Sequence, residues 1–92
     1  MRKAYIIDAK RTPVGKARGS LSKTRADDLL VHAIQSVLKA ADSSEKINSS
    51  IDDIIVGCAM PEGPQGLNIA RIATLLAGLP DSTPAYTLNR FC

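Results

Sequence analysis

Two segments with apolar residues at every third or fourth position, each standing between short runs of β-forming residues, constrain this chain most strongly. Leu30, Ala33, Ile34, Val37, Leu38 and Ala41 repeat at helical spacing, while His32, Gln35, Ser36 and Lys39 share the opposite face. Thr24-Arg25-Ala26-Asp27 precedes them and has the form of a capping box, in which a hydroxyl and a carboxylate satisfy otherwise unpaired amides. A helix from this box to about Ala41 is expected. A second helix is expected to begin at Asn68, with Ile69, Ile72, Ala73, Leu76 and Ala77 on one side. Gly78-Leu79-Pro80 stops it: glycine accepts the left-handed position and proline prevents continuation.

The runs around these helices predict three strands. Ala4 to Ala9, "AYIIDA", is the first, and it ends at a loop where Pro13, Gly15 and Gly19 forbid a regular element. Ile51 to Ala59 is the second, with Ile54-Ile55-Val56 as its buried centre, after the polar linker "DSSEKINSS", which is expected to be solvated. Ala85 to Phe91 is the third, alternating in part around Tyr86 and Leu88. Strands alternating with helices of ten or more residues imply an α/β fold of order βαβαβ, with parallel strands, right-handed crossovers and helices packed on the sheet.

Composition narrows the function. A chain of 92 residues has no apolar run near the roughly 18 residues that a membrane span needs. Met1-Arg2-Lys3 passes into a short apolar run and then into charge, without the pattern of a secretory signal, so a cytoplasmic location is expected. Charge is uneven: residues 1 to 25 hold eight basic groups against Asp8 alone, whereas the remainder holds four basic and eight acidic groups. The basic segment is either a solvated loop or a contact for phosphates; no aromatic residues interleave with its charges, which speaks against nucleic acid. Two cysteines, Cys58 and Cys92, match neither a disulfide framework nor a zinc pattern. Cys58 follows Ile54-Ile55-Val56-Gly57 and reads as an inert core thiol. His32 falls on the polar helix face and reads as solvated.

Cys92 is different because of its place. Ligand sites of open parallel sheets lie outside the carboxyl ends of the strands, and Cys92 sits just past the third. A thiol at the start of a following helix meets unpaired amides and the positive end of a dipole, which favour thiolate. Position makes Cys92 a candidate nucleophile; by position alone an ordinary cysteine fits as well.

Four stretches sharpen the choice. "RTPVGKARGSL" (Arg11 to Leu21), "EGPQGLNIAR" (Glu62 to Arg71), "AGLP" (Ala77 to Pro80) and "PAYTLNRFC" (Pro84 to Cys92) occur in the order and spacing of a thiolase N-terminus. The chain resembles the first quarter or so of an acetyl-CoA acyltransferase. The resemblance implies that residues 1–92 are the incomplete N-terminal portion of the thiolase N-terminal domain, the opening βαβαβ part of a layered αβαβα fold. It further implies that Cys92 is the acylated nucleophile of a 3-ketoacyl-CoA thiolase acting in fatty-acid β-oxidation, with biosynthetic acetoacetyl-CoA formation as the enzyme alternative. "NRF" before the cysteine resembles the degradative type more closely.

The same resemblance implies acyl-CoA and coenzyme A as substrates, no permanently bound cofactor and no metal. It also implies a homodimer or homotetramer that works beside other β-oxidation enzymes. Asn68 and Arg71 match a helix start near the thiolase dimer contact, so Arg71 is either paired across an interface or a plain surface arginine. The family's histidine base, second catalytic cysteine and Asn-His oxyanion pair belong to sequence beyond residue 92, so these 92 residues alone are expected to be inactive. The alternative of another class, a noncatalytic βαβ phosphate-binding module, lacks a glycine-rich phosphate signature.

Overall fold

A computed structural model describes residues 2–92. Helix α1 spans Ala26–Ala41, strand β1 Ile54–Gly57, helix α2 Ile69–Leu76 and strand β2 Ala85–Leu88. Short 3₁₀ turns occupy Lys46–Ser50 and Gly63–Gln65. The two strands pair in parallel, with Ile54 opposite Ala85 and Gly57 opposite Leu88. β1, α2 and β2 therefore form one βαβ unit, preceded by α1.

Helix α2 is the centre of the packing, in contact with α1 and with both strands. Its smallest side chains make this possible: Ala70 and Ala73 are 0% exposed, so neighbouring backbones approach closely where a larger residue would hold them apart. Ile69, Thr74 and, just beyond the helix, Leu79 complete the buried set. The buried face is rotated from the expected one, since Leu76 is 55% exposed and Thr74 is buried. Nearly every position of "IARIATLL" is apolar, so periodicity alone leaves the phase loose. The Thr74 hydroxyl removes the cost of burial by donating to the Ala70 carbonyl at 2.7 Å.

The end of α2 follows expectation. Gly78 has φ +86°, its N–H reaches the Leu75 carbonyl at 3.1 Å, and the Leu79 N–H reaches back to Thr74 at 3.3 Å. These are the two bonds of a Schellman ending, with buried Leu79 as its apolar contact.

At α1 the end lies at Ala41 as expected, but the capping box does not form. Arg25 is the cap residue, and its guanidinium grips the Asp27 carboxylate through two bonds of 3.0 Å. That bidentate grip holds the carboxylate that the box assigned to a backbone amide. Asp27 still contributes to the helix start, accepting the Asp28 N–H at 3.0 Å.

Two further expectations are corrected. Ala4 to Ala9 forms no strand: Tyr5, Ile6 and Ile7 are exposed and the segment has no ladder partner among the described residues. β propensity becomes a strand only when a neighbouring backbone accepts the bonds, and here β1 and β2 pair with each other. The observed order is thus α1, β1, α2, β2, and the two strands found are shorter than their apolar runs. Second, β1 is not buried on both faces. Ile54 and Val56 are half-buried while Ile55 is exposed, the alternation of a sheet covered on one side; Ile55, Tyr86 and Leu88 remain exposed.

The linker after α1 is more ordered than its polarity suggests. The Asp42 carboxylate accepts the Ser44 hydroxyl and N–H, the latter at 3.0 Å, and the Ile47 N–H at 3.2 Å. These bonds, that of the Ser44 hydroxyl foremost, hold the Asp42 carboxyl below its ordinary range.

Candidate functional site

Parallel pairing brings the carboxyl ends of β1 and β2 to the same edge of the sheet. The ladder runs one step past the strands, where the Cys58 N–H donates to the Leu88 carbonyl at 2.9 Å. Beyond it the chain turns under a local bond, from the Phe91 N–H to the Asn89 side-chain oxygen at 3.1 Å. Gly57, Cys58, Ala59, Leu88, Arg90 and Phe91 line a cleft of about 340 Å³ at this edge. Cys92 follows Phe91 directly and is exposed, with a free thiol. The expected nucleophile thus lies where a βαβ unit presents ligands.

Cys58 departs from the expectation of a core thiol. It is free and half-buried, and it helps line the cleft beside the segment that carries Cys92. It sits one residue past β1.

The strand leading to Cys92 is held from α2 by side chains at the helix start. Asn68, the cap position, makes no side-chain bond to its own helix. It instead donates from Nδ2 to the Ala85 carbonyl at 3.3 Å and accepts the Thr87 hydroxyl on Oδ1 at 2.7 Å. The Thr87 oxygen accepts the Ala70 N–H at 3.2 Å, so an orphan amide of α2 is capped from the neighbouring strand. Leu67 and Asn68 reach this position with φ +55° and +62°. Left-handed backbone costs about 1–3 kcal/mol at a non-glycine residue, more for leucine than for asparagine, and the Asn68 bonds offset part of it.

Arg71 points inward to its own chain. Its guanidinium donates to the Thr83 carbonyl at 2.6 Å and to the Asp81 carbonyl at 2.9 Å, fixing the loop between α2 and β2. The expectation of an uncommitted surface arginine gives way to this loop anchor. Its partners lie ten and twelve residues downstream, where no local pattern announces them.

His32 is exposed, away from the strand ends, on a larger cleft of about 510 Å³ with Gln35, Ser36, Lys39, Asn48 and Gly78. That cleft separates the polar face of α1 from the end of α2, bridged by the Gln35 side chain donating to the Ala77 carbonyl at 3.3 Å. The eight basic residues of the N-terminal quarter are all exposed; Lys10 pairs with Asp8 at 3.3 Å and Arg25 with Asp27. Among the described residues no three potential metal ligands cluster, and no helix is long and apolar enough to cross a membrane.

The sequence singles out Cys92 and the motif containing Asn68 and Arg71, but gives no sign of Thr87. A threonine in a β run carries no mark that its hydroxyl will cap a helix seventeen residues earlier.

Comparison with known proteins gives this arrangement its setting. Residues 4–92 match the family model described as Thiolase, N-terminal domain. The chain is 50% identical over 93 residues to the 3-ketoacyl-CoA thiolase of Bacillus subtilis (strain 168), with all of this chain and 23% of that protein covered. It is 45% identical over 91 residues to the beta-ketoadipyl-CoA thiolase of Pseudomonas knackmussii, covering 99% of this chain and 22% of that one. It is 46% identical over 92 residues to the 3-oxoadipyl-CoA/3-oxo-5,6-dehydrosuberyl-CoA thiolase of Escherichia coli (strain K12), covering 100% and 22%. The chain spans less than a quarter of the length of these relatives. With nearly its whole length matched, and with two helices and parallel strands in an α/β arrangement, the chain belongs to the thiolase family.

Proposed function

We propose that residues 1–92 are the opening portion of a thiolase N-terminal domain within the layered αβαβα fold, and that Cys92 is the nucleophile of a coenzyme A-dependent acyl transfer. The observation that carries this is the position of Cys92, four residues past β2, at the edge where both parallel strands end. The Cys92 thiolate attacks the ketone carbon of a 3-ketoacyl-CoA, and the bond between carbons two and three breaks. The electron pair of that bond leaves as the enolate of acetyl-CoA, which takes a proton; the acyl group stays on sulfur as a thioester. The thiol of coenzyme A then attacks the thioester, forming the shortened acyl-CoA and returning Cys92. The oxyanion donors and the acid/base groups this needs come from sequence beyond residue 92. The working enzyme is a cytoplasmic homo-oligomer, its direction degradative, and its pathway fatty-acid β-oxidation.

A second reading has its own support. Relatives in Pseudomonas and Escherichia are named for beta-ketoadipyl-CoA or 3-oxoadipyl-CoA, at identities close to that of the Bacillus relative. The chemistry is the same and the acyl chain ends in a carboxylate. Comparing kcat/KM for 3-ketohexanoyl-CoA and beta-ketoadipyl-CoA, each with six acyl carbons, separates the two.

The test of the shared chemistry is made in the full chain. Iodoacetamide at neutral pH is expected to label Cys92 much faster than Cys58, and prior acylation by acetoacetyl-CoA to protect it. Cys92→Ser is expected to abolish turnover with the fold intact, since the oxygen is a far poorer nucleophile near pH 7. Retained turnover in that variant removes Cys92 from the mechanism.

A further inference from the structure

We infer that Thr87 and Asn68 form a latch that positions Cys92, an inference resting on the assignment of Cys92 as nucleophile made above. Neither residue is placed to touch a reacting atom; they act through the strand.

The latch has a defined direction at every bond. The Ala70 N–H can only donate, so the Thr87 oxygen accepts it, and the hydroxyl proton is left for the Asn68 Oδ1. The Ala85 carbonyl can only accept, so it faces the Asn68 Nδ2. Three bonds thus determine one another, and together they tie two residues of β2 to the first turn of α2. The position asks for a hydroxyl rather than for bulk, because valine would fill a strand site of this volume equally well.

The chain beyond the latch explains its reach. Leu88 is the last strand residue, and its carbonyl holds the Cys58 N–H at 2.9 Å. From there to Cys92 the only bond among the described residues is the local turn from the Phe91 N–H to Asn89. On the side of the chain that precedes it, the sulfur is aimed by where β2 ends, and β2 is held on one side by β1 and at its start by the latch. The backbone at Leu67 and Asn68, with φ +55° and +62°, is the conformation that delivers the Asn68 side chain to the strand.

The experiment uses Thr87→Val and Thr87→Ser in the full chain, mixed with acetoacetyl-CoA in the absence of free coenzyme A, and follows acetyl-CoA release in the first turnover. The amplitude counts competent molecules and the rate reports their geometry. Thr87→Val is expected to keep most of the amplitude and to lose about 10- to 100-fold in rate, the scale of a misplacement near 1 Å; Thr87→Ser, which retains the hydroxyl, is expected to recover most of it. A valine variant that loses amplitude but acylates at the parental rate overturns the latch and leaves Thr87 a structural residue. Should the valine variant fail to fold, Asn68→Gly accepts the same left-handed backbone without the side chain, and the same rate loss is required of it.

Failure of the underlying assignment looks different. Undiminished acetyl-CoA release from Cys92→Ser removes the nucleophile, not the latch. Iodoacetamide alkylation of Cys92, measured against Cys58 as internal reference, needs no substrate and still tests whether Thr87→Val alters its reactivity by about tenfold.

Discussion

Replacing Arg71 with alanine should loosen the loop and strand that lead to Cys92. The guanidinium donates two bonds, to the Thr83 carbonyl at 2.6 Å and to the Asp81 carbonyl at 2.9 Å. A hydrogen bond from a charged donor contributes about 1.5–3 kcal/mol when its surroundings are dry. Thr83 is buried, so that bond counts at close to this value, whereas Asp81 is exposed and water can replace its partner at little cost. The expected loss is about 2 kcal/mol, or about 30-fold in the local opening equilibrium at 1.36 kcal/mol per decade. Native-state deuterium exchange reads this directly on a peptide covering residues 81–88, where the Thr83 N–H is held by Pro80 at 3.0 Å. Exchange there should accelerate about 30-fold, with helix α1 unchanged. Arg71→Lys, able to reach one carbonyl at a time, should fall between. The effect should also be insensitive to salt, unlike that of an ion pair across an interface, which is screened over a Debye length of about 8 Å at physiological ionic strength. Unchanged exchange in the alanine variant, or a loss that vanishes at high salt, refutes the loop-anchor role.

Two other sites offer independent checks. Ala73 is 0% exposed where α2 meets α1 and the sheet, so Ala73→Leu is expected to overpack the contact and cost about 1–3 kcal/mol, seen as faster exchange of α2 amides; parental protection would mean that the packing has room. Asp27 titrates below the ordinary carboxylate range because Arg25 hydrogen-bonds it, so its contribution is complete above the unfolded value of about 3.9 and is lost as pH falls through the depressed folded value. Asp27→Asn should therefore melt below the parent at pH 6, with the gap closing toward pH 2; an equal gap at both pH values would sink the assignment.

The elements that were legible in the sequence are those whose signals are local. α1 ends at Ala41 because its apolar period does, and α2 ends at Leu76 because a left-handed Gly78 followed by Leu-Pro stops it two residues on. Non-local partners decided the rest. "AYIIDA" has the propensity of a strand, but propensity supplies no acceptor for its amides, and the ladder bonds here run between β1 and β2. Thr24 and Asp27 have the spacing of a capping box, yet Arg25 lies between them and binds the carboxylate more strongly than a backbone amide does. The phase of α2 was hidden by its composition: with apolar residues on nearly every side, the buried stripe is chosen by which small residues let the sheet approach.

The same distinction separates the two halves of the candidate site. The place of Cys92 could be read from chain order, because a residue that follows a parallel strand lies toward the sheet's carboxyl edge. Its supports could not, because each is a bond between residues ten to nineteen positions apart: Arg71 with Asp81 and Thr83, Ala70 with Thr87, Asn68 with Ala85 and Thr87. All of them run from the first turn of α2 to the segment that precedes the thiol. A candidate site residue has a fixed approach only if the chain leading to it begins from something rigid. Here the rigid origin is the βαβ unit, and the motif containing Asn68 and Arg71 is where the helix takes hold of the strand. The left-handed backbone at Leu67 and Asn68 accompanies that role: the Asn68 side chain caps none of its own helix's amides and instead bonds β2 at Ala85 and Thr87.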